Sequence, residues 1–313
     1  MTSWDLIYHI LRANFDGLES KYTSVPEQSN DEGMASYEVD RMVTDITLNH
    51  DQKCEISYKT QAGDKSTLLA DLVIGADGPS STVRSLFSPS VKRNYAGYVA
   101  WRGTVPESSL SSSAASTFIE KFTFFHAPGT QILAYMIPGR DGALKPGERL
   151  LNWVWYCNYT DGTADLDEVM TDADGTRRHI SVPSGKVRDK VWEAQLSRAE
   201  STLPPQFVEV IKGTNAPFIQ AITDVISEEI RFLDGKVVLV GDAVAGFRPH
   251  TASSTNQAAL HARALDRVLR GETSWEQWGK EVTEYAKHTQ KAGVEMGERS
   301  QFGEHPLRGD ERE

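Results

Sequence analysis

Cysteine, long apolar runs and basic charge are scarce in this sequence. The chain has two cysteines in 313 residues, Cys54 and Cys157, and their spacing forms neither a metal-ligand pattern nor a disulfide framework. No apolar run is long enough to span a bilayer, and the first residues lack the basic and apolar segments of a secretory signal. We therefore expect a protein of the reducing cytoplasm, without a metal site and without a membrane anchor.

Acidic residues outnumber basic ones, with 44 Asp and Glu against 33 Lys and Arg, and the formal net charge is −11. An acidic surface repels phosphates, so this charge argues against binding to nucleic acids or to anionic membranes. Hydrophobic residues make up 39% and charged residues 25% of the chain, which are ordinary values for a globular protein. The length suits two domains or one large one.

Two stretches carry the strongest pattern, residues 71–84 (DLVIGADGPSSTVR) and residues 235–269. Each opens with a short Val/Ile/Leu run, and each run is followed by a glycine and an aspartate. Such runs are typical of buried strands in a parallel sheet, where ligands bind at the carboxyl ends of the strands. We therefore expect the two Asp/Gly turns to converge on one ligand.

The rest of the chain separates into helical and strand-like segments by its apolar spacing and its turn residues. Helices are predicted at residues 2–15, with Ser3 as the N-cap, and at 187–199, 205–212, 254–269 and 274–298. Strands are predicted at residues 37–48, 54–58, 68–76, 99–105, 117–125, 132–137, 150–159, 230–232 and 237–240. Residues 108–116 are predicted to be a loop, and residues 299–313 a disordered tail.

The two Asp/Gly turns also carry motifs. Asp77, Gly78, Ser81 and Arg84 match D-G-x-x-S-x-x-R, and residues 241–243 read G-D-A. In this order the pair resembles the FAD-dependent aromatic hydroxylases of the para-hydroxybenzoate hydroxylase type. The 2,6-dihydroxypyridine 3-monooxygenase-like branch looks nearest, through residues 95–103, 135–139, 151–156, 216–222 and 248–252. The similarity runs from about residue 2 to about residue 269.

The resemblance implies a fold and an activity. The fold would be α/β, or α+β overall, with an incomplete Rossmann-like parallel sheet for FAD and an inserted mixed β-sheet for the substrate. The boundaries would be 1–90 and 228–272 for the FAD-binding parts, 91–227 for the substrate domain, and 273–313 for a C-terminal helix and tail. The activity would be hydroxylation of a small phenolic or hydroxypyridine ring with NAD(P)H and O2. Relatives of this type are often dimers, so a homodimer is expected.

One expected motif is missing. Enzymes of this type begin with a strand, a G-x-G-x-x-G turn and a helix, which together hold the pyrophosphate of the cofactor. No G-x-G-x-x-G occurs in the 313 residues. The sequence therefore predicts weak or absent FAD binding by this chain alone. Two alternatives follow: a non-catalytic paralogue that binds an aromatic ligand or a partner protein, or completion of the flavin site by another polypeptide.

The resemblance implies a set of cofactor contacts: Arg12, Asp77, Gly78, Ser81, Arg84, Gly241, Asp242, Pro249, Thr251, Ala252 and Ser254. Several have a purely structural alternative. Asp242 could instead cap the following segment, and Asp77 could simply form a tight turn. Arg84 and Arg12 could be solvated helix charges. Ser254 stands where relatives often have glycine, and its side chain would take space that the flavin edge needs.

Substrate and catalytic candidates come from the central, aromatic-rich part of the chain and from the loop after Asp242. His250 could act as a base for a substrate hydroxyl, since the reference pKa of histidine lies near neutrality, or could only fix the loop backbone. Arg102 could hold a substrate anion or an internal carboxylate. Tyr135, Trp153 and Trp155 could wall an aromatic pocket, with core packing as the alternative for each.

Overall fold

The computed structural model describes residues 2–27 and 33–303, which form two compact units. Unit 1 consists of the described parts of Met1–Tyr37, Gly97–Ala221 and Ser300–Glu304. Unit 2 consists of Glu38–Ala96 and Ile222–Arg299. The N-terminal helix therefore groups with the central segment, and most of the C-terminal helix groups with the two Asp/Gly turns. Within the described residues, no helix is long and apolar enough to cross a membrane.

The helices of the described residues are α1 (Trp4–Asp16), α2 (Thr82–Phe87), α3 (Ser112–Phe118), α4 (Ala164–Val169), α5 (Asp189–Thr202), α6 (Pro205–Lys212), α7 (Ser254–Leu269) and α8 (Trp275–Phe302). The strands are β1 (Met42–Leu48), β2 (Cys54–Lys59), β3 (Lys65–Ala70), β4 (Val73–Gly75), β5 (Asn94–Pro106), β6 (Phe122–Ala127), β7 (Thr130–Ile137), β8 (Leu150–Asn158), β9 (Ser181–Val182), β10 (Phe218–Ile226), β11 (Arg231–Phe232), β12 (Val237–Leu239) and β13 (Ala245–Gly246).

Unit 2 contains the predicted parallel pair. β12 runs parallel to β4, with Val237 opposite Val73 and Leu239 opposite Gly75, and β11 lies antiparallel on the other side of β12. All three residues of β12 are buried, in a core that includes Leu265 of α7 and Trp278 of α8. Burial on both faces explains why the strand reads as a continuous apolar run.

A separate antiparallel sheet in the order β1-β2-β3 precedes the parallel pair in unit 2. The predicted strand at residues 68–76 is wrong as one element, because the chain breaks at Asp71 and Leu72. β3 pairs with β2, whereas β4 pairs with β12. Both segments are apolar enough to form a strand, and they are distinguished as two strands only by their different hydrogen-bond partners.

Unit 1 is built on a sheet in which β5, β8, β7 and β6 pair antiparallel in that order, with β10 beside β5. One face of this sheet carries Trp101, whose ring centroid lies 5.8 Å from that of Trp192 on α5. Phe118 of α3 meets Phe207 of α6 with ring centroids 4.9 Å apart. The α+β fold class, with a parallel pair in one unit and an antiparallel sheet in the other, is confirmed.

Sequence patterns placed most element ends within a few residues, and three expectations need correction. Residues 117–125 are not one strand, because α3 ends at Phe118 and β6 begins at Phe122. The predicted loop at residues 108–116 holds most of α3, since Ser111 caps it by accepting from Ala114 N–H at 3.2 Å. Residues 299–302 of the predicted tail continue α8, and residues 304–313 lie outside the described residues.

Candidate functional site

The two Asp/Gly turns come together in unit 2. They follow β4 and β12, which are parallel, so both turns leave the same edge of the sheet. The N–H of Val240, at the end of the second strand, donates to Gly75 O at 3.0 Å. Arg84 reaches from α2 to the second turn, and its Nη1 donates to Ala243 O at 2.8 Å. The tertiary structure thus links motifs that lie some 160 residues apart.

Asp77 is used to build the first turn. Its Oδ1 accepts from the hydroxyl of Ser81 at 2.5 Å, and its Oδ2 accepts from the N–H groups of Thr82 at 2.7 Å and Val83 at 3.0 Å. Gly78 has a φ of 78°, a left-handed conformation that glycine adopts without strain. The carboxylate thus stabilises the turn, as in the alternative of a tight turn, and also caps the start of α2, and its contact with a cofactor remains a proposal.

Arg84 is a buried arginine that connects the two turns, and it is not a solvated helix charge. Only 2% of its surface is exposed, and its Nη2 donates to Pro79 O at 2.6 Å in addition to the bond to Ala243. Burial lowers the pKa of the guanidinium. Within the described residues it forms no salt bridge, so its hydrogen bonds to two carbonyls are what fix it between the turns.

Asp242 opens towards the first turn of α7. Its carboxylate accepts from the hydroxyl of Ser254 and, at 3.4 Å, from Nε2 of Gln257. Burial raises the pKa of Asp242 above its ordinary value, and these hydrogen bonds together with the charge of Arg93 oppose the rise. A half-buried carboxylate with these two neutral partners keeps acceptor capacity for the hydroxyl groups of a ligand.

Sequence analysis did not single out Arg93, which lies just before β5. Its Nε and Nη2 donate to the hydroxyl of Thr223 at 3.0 and 2.6 Å, and its Nη1 donates to that of Ser80 at 2.6 Å. Burial and the neighbouring Arg84 lower the pKa of Arg93, while Asp242 opposes that change. An isolated arginine next to a strand carries no sequence signal, because its burial depends on partners from both segments of unit 2.

The loop before α7 contains Pro249, His250, Thr251 and Ala252, which form one tight helical turn that ends with Ala252 at a φ of 51°. The buried Thr251 hydroxyl makes no hydrogen bond among the described residues. Ser253, the N-cap of α7, likewise makes no side-chain capping bond. The first N–H groups of a 16-residue helix, which carry its positive end, are therefore not capped by that serine.

Arg248 anchors this loop. Its Nε lies 2.8 Å from Asp224 Oδ2 of β10, and its Nη1 lies 2.6 Å from Glu298 Oε1 of α8. The arginine is buried, so charge-assisted bonds of this kind are stronger than surface ion pairs. His250, two residues further along the chain, is half-buried.

His261 is a second functional candidate that the sequence did not reveal. It is fully buried on α7, and its Nδ1 accepts the N–H of Gly241 at 2.9 Å. Burial lowers the pKa of His261 from 6.5 to about 4, although the backbone of Val282 favours the protonated ring. From the sequence, a histidine on a helix with apolar neighbours is interpreted as a core residue. The contact with Gly241 is what connects His261 to the turn that carries Asp242.

Acid should destabilise unit 2 through His261. The unfolded chain binds the proton more readily than the native state, so the stabilisation is complete above about pH 6.5 and is lost as the pH falls towards 4. The expected loss in the free energy of unfolding is about 3 kcal/mol. Urea titrations at pH 7 and pH 4 would measure it, and a His261→Asn chain should lack this component.

The sheet of unit 1 divides the substrate candidates between its two faces. Cross-strand partners share a face: Tyr135 pairs with both Asn152 and Phe122, and Arg102 lies one row further along the same face as Phe124. We call these five residues the platform. Tyr135 and Phe122 stack with ring centroids 5.2 Å apart, and Arg102 Nε is buried without a hydrogen bond among the described residues.

Trp153 and Trp155 point to the opposite face and are fully buried. Trp153 Nε1 donates to the hydroxyl of Thr214 at 2.9 Å, and the Trp155 ring lies 5.8 Å from the guanidinium carbon of Arg198 on α5. These contacts agree with the alternative of core packing, and a place for either tryptophan in a substrate wall stays a prediction. The sequence could not separate them from Tyr135, because alternation along a strand does not say which face is covered.

Arg12 belongs to unit 1, whereas the other cofactor candidates belong to unit 2. Its guanidinium pairs with Asp16 at 2.8 Å, donates to the Tyr8 hydroxyl at 2.6 Å and lies 3.6 Å from the ring centroid of Tyr37. Its side chain is only 15% exposed, so these contacts do not fit the alternative of a solvated helix charge. Its contact with the flavin remains a prediction.

Comparison with known proteins places this geometry in context. The family described as FAD binding domain-like matches residues 95–224. The chain is 34% identical over 241 residues to the 2,6-dihydroxypyridine 3-monooxygenase of Paenarthrobacter nicotinovorans, which covers 72% of this chain and 59% of that protein. It is 27% identical over 215 residues to the kynurenine 3-monooxygenase of Salinispora arenicola, which covers 67% of this chain and 40% of that one.

Among solved structures, 2,6-dihydroxypyridine-3-hydroxylase from Arthrobacter nicotinovorans is similar with a TM-score of 0.75 and 28% identity, covering 86% of this chain and 66% of that one. The chain spans 59% of the length of the first curated relative. These matches confirm the resemblance that the two motifs indicated. The chain is similar to the FAD-dependent aromatic hydroxylases.

Proposed function

We propose that this chain binds FAD through unit 2 and takes part in the hydroxylation of a small phenolic or hydroxypyridine ring, with NAD(P)H as the reductant and O2 as the oxidant. The observation that carries the proposal is the half-buried carboxylate of Asp242, set after a parallel strand and beside the start of α7. The relatives named above support the reaction class. Because the sequence holds no G-x-G-x-x-G, we expect weaker FAD binding than in a protein with that turn.

The residues of unit 2 fit FAD in three respects. Asp242 offers acceptor positions for the hydroxyls of a ribityl or ribose chain. The N-terminus of α7 offers positive charge to an anionic part of the cofactor, since Ser253 does not cap it. The buried Thr251 hydroxyl has no protein partner among the described residues and can bond to a ligand. When bound, FAD would supply the two-electron chemistry that activates O2.

The proposed reaction balances as ring C–H, O2, NAD(P)H and a proton giving ring C–OH, water and NAD(P)⁺. In this proposal the chain itself binds and orients the ring and manages one proton. His250 stays a predicted base for a substrate hydroxyl, because loss of that proton makes an aromatic ring more electron-rich. The ion pairs of Arg248 with Asp224 and Glu298 would hold the His250 turn in place.

The platform in unit 1 suits a hydroxylated aromatic ring. Phe122, Phe124 and Tyr135 supply aromatic surface, while Arg102 and Asn152 supply donors at the other side of the same face. The unsatisfied Arg102 Nε can donate to a ring hydroxyl or hydroxylate. An unsubstituted ring would leave that buried donor unpaired, so the platform favours phenolic and hydroxypyridine ligands over plain aromatic ones.

Replacing Arg102 with methionine should weaken the binding of 2,6-dihydroxypyridine about tenfold to hundredfold, because a charge-assisted hydrogen bond contributes about 1.5–3 kcal/mol. Isothermal titration calorimetry measures the dissociation constant. Arg140→Met, at an exposed arginine of unit 1, is the control and should change nothing. Equal affinities for all three chains would remove Arg102 from the site.

Replacing Ser254 with glycine should tighten FAD binding about threefold to tenfold. The Ser254 hydroxyl donates a hydrogen bond to the Asp242 carboxylate and so uses one of its acceptor positions. The Ser254 side chain lies at the start of α7, where relatives often have glycine. Ser254→Ala removes the hydroxyl but keeps the Cβ atom, so it separates the hydrogen bond from the steric effect. Quenching of flavin fluorescence reports the dissociation constants, and an unchanged constant in both variants would contradict the prediction.

The proposed function is tested by titrating the chain with FAD under visible absorbance, then adding NADH or NADPH in air with 2,6-dihydroxypyridine. A protein-bound flavin band that bleaches and recovers, with one hydroxylated product per NAD(P)H, supports the proposal. Absence of bound flavin at millimolar FAD contradicts it. Light scattering on the same sample tests the predicted homodimer, and cell fractionation tests the predicted cytoplasmic location.

One observation favours a second candidate function, a non-catalytic protein that binds an aromatic ligand. Every residue of the platform lies in unit 1, so ring binding does not depend on the residues proposed for FAD. This alternative predicts saturable binding of 2,6-dihydroxypyridine by a chain that takes up no flavin. The hydroxylase proposal instead predicts both uptake of FAD and oxidation of NAD(P)H.

A further inference from the structure

The turn that carries Asp242 is fastened to α7 at its first residue. Gly241 has a φ of 58°, and a Cβ atom there would lie 3.6 Å from Ala258 Cβ, so the turn packs directly on the helix. The N–H of Gly241 donates to Nδ1 of His261 at 2.9 Å, and both groups are buried. A buried N–H with this partner is satisfied, and without it would be costly.

Other groups of the turn are already committed. The N–H of Ala243 donates to Val240 O at 3.2 Å, and that of Val244 donates to Gly241 O at 3.0 Å. Gln257, four residues before His261 and thus on the same face of α7, donates from Nε2 to Ala245 O at 2.7 Å. The helix therefore holds the turn at two points, one before Asp242 and one after it.

The hydrogen bond fixes the chemical form of His261. An N–H donates to Nδ1, so Nδ1 carries no hydrogen, and the neutral ring bears its hydrogen on Nε2. On the α8 side the ring of Tyr285 lies 6.5 Å away at 79°, and the backbone of Val282 interacts with the imidazole. The imidazole is therefore a fixed, uncharged hydrogen-bond acceptor, and this role requires no contact with a ligand.

We propose that His261 is a positioning residue, which sets the direction of the Asp242 carboxylate by accepting the N–H of Gly241. Loss of the acceptor would leave that N–H unpaired, and the left-handed Gly241 would rotate to find another partner. Asp242, the next residue, would then move relative to α7. The consequence for the cofactor rests on the proposed function, whereas the hydrogen bond itself does not.

Two variants distinguish the effect of the hydrogen-bond acceptor on His261 from the effect of its side-chain volume. In His261→Asn the amide oxygen lies near the place of Nδ1 and can still accept, whereas His261→Met fills a similar space without a strong acceptor. The exposed His288→Met on α8 is the control for the substitution itself. Two readouts are needed: the hydrogen-exchange rate of the Gly241 amide by NMR, and the dissociation constant of FAD.

We expect the Gly241 amide of the natural chain to be protected and to show a scalar coupling to His261 Nδ1. The asparagine variant should keep protection and bind FAD within about threefold of the natural chain, whereas the methionine variant should exchange at least tenfold faster and bind at least tenfold more weakly. A folded methionine variant with unchanged exchange and affinity would overturn the proposal. Should it not fold, the scalar coupling in the natural chain decides, and its absence overturns the proposal.

Failure of this proposal can be distinguished from failure of the proposed function. If the natural chain takes up no FAD, the Gly241 exchange rates still show whether His261 positions the turn. If FAD binds well and the exchange rates do not differ between the variants, the flavin function stands and the role of His261 is refuted.

Discussion

Replacing Asp242 with alanine is expected to weaken FAD binding at least a hundredfold. The carboxylate offers acceptor positions for two ligand hydroxyls, and hydrogen bonds to a charged group contribute about 1.5–3 kcal/mol each. Quenching of flavin fluorescence on titration gives the dissociation constant. Asp266→Ala, at an exposed carboxylate on α7 that pairs with Arg270 at 2.9 Å, is the matched control and should bind FAD as the natural chain does.

The same substitution should not lower the stability of unit 2. Burial raises the pKa of Asp242, so its ionised form is disfavoured in the native state, and this cost is present above the ordinary pKa of the acid. Asp242→Ala removes that cost and should keep or raise the midpoint of urea unfolding at pH 7. Lost FAD affinity with preserved stability would identify a ligand-binding carboxylate, whereas loss of both would assign Asp242 to capping.

Replacing Trp153 with alanine is expected to lower the free energy of unfolding of unit 1 by about 3–5 kcal/mol. The side chain is fully buried, and its indole N–H is paired with Thr214, so the change creates a cavity and leaves the hydroxyl short of a partner. Urea unfolding followed by tryptophan fluorescence measures the loss. Trp4→Ala, at a tryptophan of the same unit that is 74% exposed, should cost little.

A milder variant tests whether Trp153 belongs to the core or to a substrate wall. Trp153→Phe should fold, lose some stability and bind 2,6-dihydroxypyridine with an unchanged dissociation constant, because the ring lies on the face opposite to the platform. A tenfold loss of ligand affinity in a folded Trp153→Phe chain would return this tryptophan to the substrate wall. Matching affinity would leave Tyr135, Arg102 and Asn152 as the residues to examine there.

Local chemistry in the sequence determined a good part of this fold. Ser3 predicts the start of α1 because a serine hydroxyl satisfies a helix N–H that would otherwise be free. The run at Val237–Leu239 predicts a strand buried on both faces, and pairing with β4 bears this out. The D-G-x-x-S-x-x-R and G-D-A motifs indicated the resemblance, because their order and spacing can be recognised in the sequence before any contact is known.

Only the tertiary structure decided what individual side chains do. Asp77 stabilises the first turn by accepting the N–H of Val83, and Arg84 joins the two turns by donating to Ala243 O. No local sequence pattern relates the segments that supply these partners. Trp153 and Tyr135 alternate along neighbouring strands, and the helices that cover one face settle which of them is core. Only the folded chain shows that His261 accepts the N–H of Gly241. Sequence periodicity specifies elements, whereas the partner of a buried polar group is fixed only when distant segments pack together.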